Sequence, residues 1–199
     1  GAAADDLVAE LRVVLDHAAG HDHAPAAGRD AGPDDGHPVV AGVNLDTAAG
    51  HRRLISPHPG AVALAPGAVY GPAKQWPTEY FAQLADLLIK NGWQVWVFGS
   101  EKERNLGEEI VKGAPADAYN LCGKTELVDV IDLIACTEQV VTNDSGLMHV
   151  AAALDIKVNV IYGSSSPDYT PPLSSSANIF YKRLSCSPCF KHVCPLGHT

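Results

Sequence analysis

From Val62 onward the chain alternates short apolar runs with longer segments in which apolar residues recur every three or four positions. That alternation is the signal of parallel strands joined by crossover helices. Residues 62–65 read as the first strand, and Thr78 opens a helix with Phe81, Leu84, Leu87 and Leu88 on one face, stopped by Asn91 and Gly92. Residues 93–98 form a second strand, 101–111 an acidic-started helix and 119–122 a third strand. Thr125 is placed to cap a helix over residues 126–136, with Leu127, Val130, Ile131 and Ile134 on one face. A fourth strand over 139–142, a helix over 147–154 and a fifth strand over 157–162 complete the pattern. The expected fold class is α/β, a doubly wound parallel sheet over residues 61–199.

The first sixty residues follow a different pattern. Leu7, Leu11, Val14 and Leu15 stand behind Asp5 and Asp6, which predicts a short amphipathic helix with acids at its start. From Gly20 to Pro59 the breakers Gly28, Gly32, Pro33, Gly36, Pro38, Gly50, Pro57 and Pro59 predict a loop or linker. All thirteen aromatic residues lie between Tyr70 and Phe190 and all five cysteines at Cys122 or later, so residues 1–60 lack the means to hold a large core alone. His21 and His23 fit a solvated linker better than a metal site, because no second pair of ligands stands at a defined spacing.

Charge and hydropathy narrow the function classes. Fourteen Lys and Arg against twenty-three Asp and Glu leave a formal net charge of −9, which provides no general field for nucleic acid. No apolar run approaches the ~18 residues of a membrane span, and the start has no basic and apolar signal-peptide pattern. The expectation is a soluble, cytoplasmic chain.

In a doubly wound sheet, ligands bind outside the carboxyl ends of the strands. Three loops there carry chemistry. Residues 66–77 hold Lys74 just before a helix, with Gly67 and Gly71 allowing close backbone approach. Lys74 can neutralise a phosphate as a point charge, or be a solvated loop residue. Residues 142–149 end a strand and begin a helix, where free N–H groups and the positive dipole end suit an anion. There Asp144 can cap the helix, Ser145 can donate its hydroxyl, and His149 follows one turn later; a plain N-cap with a half-buried histidine is the alternative. Glu101 and Glu103 follow the second strand, where a carboxylate can hold a ribose or simply satisfy the helix dipole. In the tail, Cys186, Cys189, Cys194 and His198 are four soft ligands within thirteen residues, a set that suits structural zinc or reduced structural thiols.

Taken together, residues 62–77, 98–103, 141–154 and 162–173 resemble glycosyltransferase family 9, the lipopolysaccharide heptosyltransferases. The closing run from Cys186 to His198 resembles the branch that adds the second heptose. The resemblance implies a GT-B architecture of two Rossmann-like domains facing a cleft. Residues 61–199 would be the C-terminal, nucleotide-sugar-binding domain and residues 1–60 an incomplete N-terminal segment. It implies ADP-heptose as donor, the heptosyl-Kdo2-lipid A inner core as acceptor at the cytoplasmic face of the inner membrane, inverting transfer and no cofactor for the transfer itself. By carry-over, Lys74 neutralises the diphosphate, Glu103 (or Glu101) holds the ribose and Thr125 lies beside the adenine. Asp144, Ser145, Gly146, Leu147 and His149 form the cradle at the helix start. The family's general base is an aspartate near the start of the N-terminal domain, and no residue here matches it. Two alternatives remain open: a non-catalytic nucleotide- or metal-binding module of the same fold, and a transferase for another ADP- or UDP-sugar.

Overall fold

The computed structural model describes residues 2–19, 43–46, 52–55, 60–113 and 117–198. Its centre is a six-stranded, all-parallel sheet built from β3 (Ala61–Ala65), β4 (Gln94–Val97), β5 (Ala118–Asn120), β6 (Gln139–Asn143), β7 (Lys157–Tyr162) and β8 (Asn178–Tyr181), preceded in the chain by the short strands β1 (Val43–Asp46) and β2 (Arg52–Ile55). The strand order is β5-β4-β3-β6-β7-β8. The chain winds outward from β3 in one direction and then restarts at β6 in the other, so the order reverses between β3 and β6. That point is where a doubly wound sheet opens a crevice.

Helices cover both faces. β3 and β6 are buried at every position, as expected for central strands covered on both sides. Side chains alternate between the layers. Val62, Leu64, Val95, Val97 and Val141 face a core shared with Phe81 and Leu84 of α2 (Thr78–Lys90) and Ile110 of α3 (Arg104–Val111). Ala61, Ala63, Trp96, Val140 and Val158 face the core shared with Ile134 of α4 (Leu127–Ala135) and Met148 and Ala151 of α5 (Gly146–Ala153). Each fully buried large side chain contributes about 1.5–3 kcal/mol, so the two layers outweigh any single loop contact.

Three differences from the sequence reading have physical causes. β8 was not expected. It is a four-residue edge strand with Ile179 47% exposed and only Phe180 buried, too short and one-sided for a periodicity signal. The segment read as linker contains an antiparallel ladder, with Val43 opposite Ile55 and Asp46 opposite Arg52. The flanking prolines and glycines mask those two short runs. The first helix, α1 (Ala2–Ala19), is longer than its apolar stripe suggested, and its Leu7 and Leu11 join the core around Phe81 and Leu84. Lys182, just after β8, pairs with Glu10 of α1 at 3.2 Å. His21 and His23 lie outside the described residues.

Candidate functional site

The crevice between β3 and β6 is built from side chains that bond across it. At the end of β6, Asn143 is fully buried, and both ends of its amide are used. Its Oδ1 accepts from the Trp76 backbone N–H at 2.9 Å and its Nδ2 donates to the Pro66 carbonyl at 2.6 Å. One side chain therefore spans the loop between β3 and α2 near both of its ends and fixes the turn that carries Lys74. The Lys74 ammonium meets the Asp144 carboxylate at 2.5 Å, with only 15% and 4% of the two side chains exposed. Lys74 Nζ also lies over the Tyr70 ring, 5.2 Å from its centroid, in a cation–π contact.

Asp144 is thus the partner of Lys74 and not the expected helix cap. The cap position of α5 belongs to Ser145, whose Oγ lies 3.1 Å from Thr142 Oγ1 instead of closing on the helix. Among the described residues, no side chain makes a capping hydrogen bond at the start of α5. The N–H groups of Gly146 and Leu147 have no partner within their own helix, as at any helix start. A methyl group built on Gly146 would meet nothing within 4 Å, so this end of the helix faces open space. It lies immediately after Asp144 in the chain and combines free donors with the positive end of the helix dipole. His149 is exposed on the same helix and makes no bond among the described residues, so its expected role in the cradle draws no support from a contact.

One strand further out, the structure separates the two glutamates that sequence left as alternatives. Glu101 is held by Arg104 through two bonds, Nε to Oε1 at 2.8 Å and Nη2 to Oε2 at 2.6 Å. Those bonds hold the Glu101 carboxyl below the usual range. Glu103 turns toward the sheet edge. Its Oε2 accepts from the Ser100 N–H at 2.6 Å and from the Ser100 hydroxyl at 2.8 Å, a capping box that fixes the rotamer. A methyl group on Gly67 would sit 1.7 Å from Glu103 Oε1, so only glycine lets this carboxylate lie against the β3 loop. Beneath it, burial and then the Glu103 charge push the Cys122 thiol up to about 12. The crevice therefore has a cation and a helix start at its centre and an anchored carboxylate beside them.

Thr125 does not cap α4. The Glu126 N–H donates to Asp129 at 2.9 Å and the helix begins at Leu127, while Thr125 Oγ1 is buried without a hydrogen-bond partner. Leu127 is 64% exposed, and the buried face is Val130, Leu133 and Ile134.

Of the two readings of the tail, the zinc site does not assemble, and Cys186, Cys189 and Cys194 are free thiols. Cys186, Cys189, Cys194 and His198 line one cavity of about 520 Å³, together with Leu7 of α1 and the ends of β7 and β8. Among the described residues, no group of three or more His, Cys, Asp or Glu is arranged to hold a metal ion. Backbone bonds explain this. The Cys189 N–H donates to the Ser164 carbonyl at 3.1 Å, and the His198 N–H reaches Cys194 Sγ at 3.3 Å, so the tail runs along the β7 loop instead of wrapping around a centre. These residues do not fit a metal.

The main contributors that sequence reasoning missed are Asn143 and Tyr70. A clue to the first was available, since an amide ending a continuous buried strand must find partners for both of its polar ends.

Comparison with known proteins identifies the family and the fold. The chain is 49% identical over 122 residues to lipooligosaccharide heptosyltransferase 2 of Haemophilus influenzae, covering 59% of this chain and 35% of that protein. It superposes on the structure of E. coli ADP-heptose LPS heptosyltransferase II with a TM-score of 0.60 and 47% identity, over 61% of this chain and 38% of that one. It also superposes on E. coli heptosyltransferase WaaC with ADP, with a TM-score of 0.54 and 26% identity, over 61% and 38% of the two chains. The chain thus spans little more than a third of the length of these relatives. The profile of glycosyltransferase family 9 (heptosyltransferase) matches residues 32–199, so the chain belongs to that family.

Proposed function

We propose that residues 61–199 are the donor-binding domain of a heptosyltransferase that moves L-glycero-D-manno-heptose from ADP-heptose to the heptosyl-Kdo2-lipid A inner core. One observation carries this reading. Lys74 follows β3, the open start of α5 follows β6 and Glu103 follows β4, so all three stand at the carboxyl ends of the strands around the switch point, where a phosphate-binding cation, a helix start and a ribose-binding carboxylate would be needed together. The identity to second heptosyltransferases, and the ADP in the WaaC structure, support the choice of donor.

The chemistry follows from what each group can do. Transfer of the sugar leaves ADP with added negative charge on its terminal phosphate. The Lys74 ammonium and the N–H groups of Gly146 and Leu147 can stabilise that charge as it develops. Asp144 holds Lys74 in place until the phosphate arrives. Glu103 keeps one oxygen on Ser100 and offers the other to the ribose hydroxyls. Thr125, beyond β5 on the same edge, supplies a hydroxyl beside the adenine. Deprotonation of the acceptor hydroxyl falls to a base on an N-terminal domain, facing this one across a cleft. No helix among the described residues is long and apolar enough to cross a membrane. In this reading the protein works at the cytoplasmic membrane surface, where the lipid acceptor is presented.

Calorimetric titration with ADP and ADP-heptose tests the reading. Saturable binding of both is expected, weakened about 10–100-fold by Lys74→Ala through loss of a charge-assisted phosphate contact. Absence of binding, or binding indifferent to that substitution, would overturn it.

A further inference from the structure

The tail motif from Cys186 to Cys194 has no place in the chemistry above, yet it is tied to the loop that carries Lys74. The Phe190 N–H donates to the Ser164 carbonyl at 2.8 Å, alongside the Cys189 bond to the same oxygen. The Ser164 N–H in turn donates to the Ala73 carbonyl at 2.9 Å, and the Ala73 N–H donates to the His192 carbonyl at 3.0 Å. Tyr70 completes the link. Its hydroxyl donates to the Phe190 carbonyl at 2.7 Å, and its ring stacks on the His192 imidazole with centroids 4.0 Å apart and planes 17° apart. Gly71 shows how close the approach is. Its φ of +153° and the His192 carbonyl, 2.7 Å from where a Cβ would stand, leave no room for a side chain.

We propose that the tail positions Lys74 for the donor diphosphate, with His192 acting through Tyr70. A lysine ammonium on a four-carbon stem normally loses rotamer freedom when it meets a ligand, which weakens binding. Here much of that ordering is made in advance. Asp144 holds the ammonium on one contact, the Tyr70 ring lies beneath it on another, and His192 fixes the Tyr70 ring. The tail therefore acts on phosphate affinity without touching the nucleotide. His192 and Tyr70 are positioning residues; the backbone of Cys189 and Phe190 ties the segment to the β7 loop.

This inference rests on the donor-site reading, so the experiment separates the two. The full chain is titrated with ADP and with adenosine, which carries no phosphate, using His192→Ala, His192→Phe, Lys74→Ala and the His192→Ala/Lys74→Ala pair. His192→Ala is expected to weaken ADP about fivefold and to change adenosine binding by less than about twofold, the range set by one side chain's ordering cost. His192→Phe, which keeps a ring on Tyr70, should restore ADP binding. In the Lys74→Ala background, His192→Ala should cost nothing further. Tyr70→Leu against Tyr70→Phe gives the same contrast by a second route if the His192→Ala protein does not fold. Equal losses for ADP and adenosine, no loss for ADP, or an undiminished loss without Lys74 would each overturn the proposal. Wild-type protein that ignores ADP, or binds it no better than Lys74→Ala does, would instead overturn the donor site and this proposal with it.

Discussion

Glu103 and Asp144 are two carboxylates on one edge of the same sheet, and they are held in opposite ways. Glu103 is fixed by Ser100, three residues away, within a single turn. Asp144 is fixed by Lys74, seventy residues away, across the point where the strand order reverses. The first arrangement is local, exposed and weak, and it leaves one carboxylate oxygen free. The second is buried and depends on the whole fold to bring its partners together. A ligand site that couples them can place its sugar ring by local geometry while the charge at its centre is set by the tertiary structure.

The largest way to break this contrast is on the tertiary side. Asn143→Ala leaves the Trp76 N–H and the Pro66 carbonyl without their buried partner. A loss of about 3 kcal/mol in unfolding free energy, read by urea denaturation, is expected from two such orphaned groups. Gly67→Ala attacks the boundary between the two regions, because the new methyl group collides with Glu103 Oε1. ADP affinity should fall about tenfold, and Glu103→Ala added to it should change little further, since both remove the same contact.

Alkaline titration sharpens the picture below the carboxylates. The Cys122 thiol, raised to about 12 by burial, stays protonated in the fold while the unfolded chain ionises near pH 9. Stability is therefore complete below about pH 9 and falls as pH rises toward 12, by about 1 kcal/mol over the first unit. The Tyr162 phenol, raised by burial and by Asp144, deepens the loss above about pH 10. Cys122→Ala should flatten the first part of that decline. Ser100→Ala is the smallest change. It removes one arm of the local cap and should cost about 0.5–1 kcal/mol in melting experiments, with Asp144 and Lys74 undisturbed.

The same division between local and remote explains what was legible in the sequence. Strands such as Lys157–Tyr162 and the helix Thr78–Lys90 carry their period and their stop signals in adjacent residues, and the structure keeps them nearly as read. β8 and the β1–β2 pair depend on neighbours for their definition, being short and half-exposed or bounded by prolines, so no window of sequence shows them. Lys74, Glu103 and Asp144 were visible as residue types at strand ends. Their bonds were not: a strand–Asp–Ser–Gly–helix junction invites the Asp to cap, and only the packing of β3 beside β6 reveals that Lys74 takes it instead. The cap read at Thr125 and the zinc alternative for the Cys/His tail fail for a related reason, because spacing alone does not say which way the backbone turns between partners.

The central claim, that the β3–β6 crevice is the diphosphate site, is tested most directly by amide chemical-shift mapping. On addition of ADP, the largest shifts should fall on Gly146, Leu147 and the loop around Lys74, with smaller ones at Ser100 and Glu103. Adenosine should leave Gly146 and Leu147 unmoved. Shifts concentrated around the tail cavity near Cys186 and Arg183, with the start of α5 silent, would contradict the account.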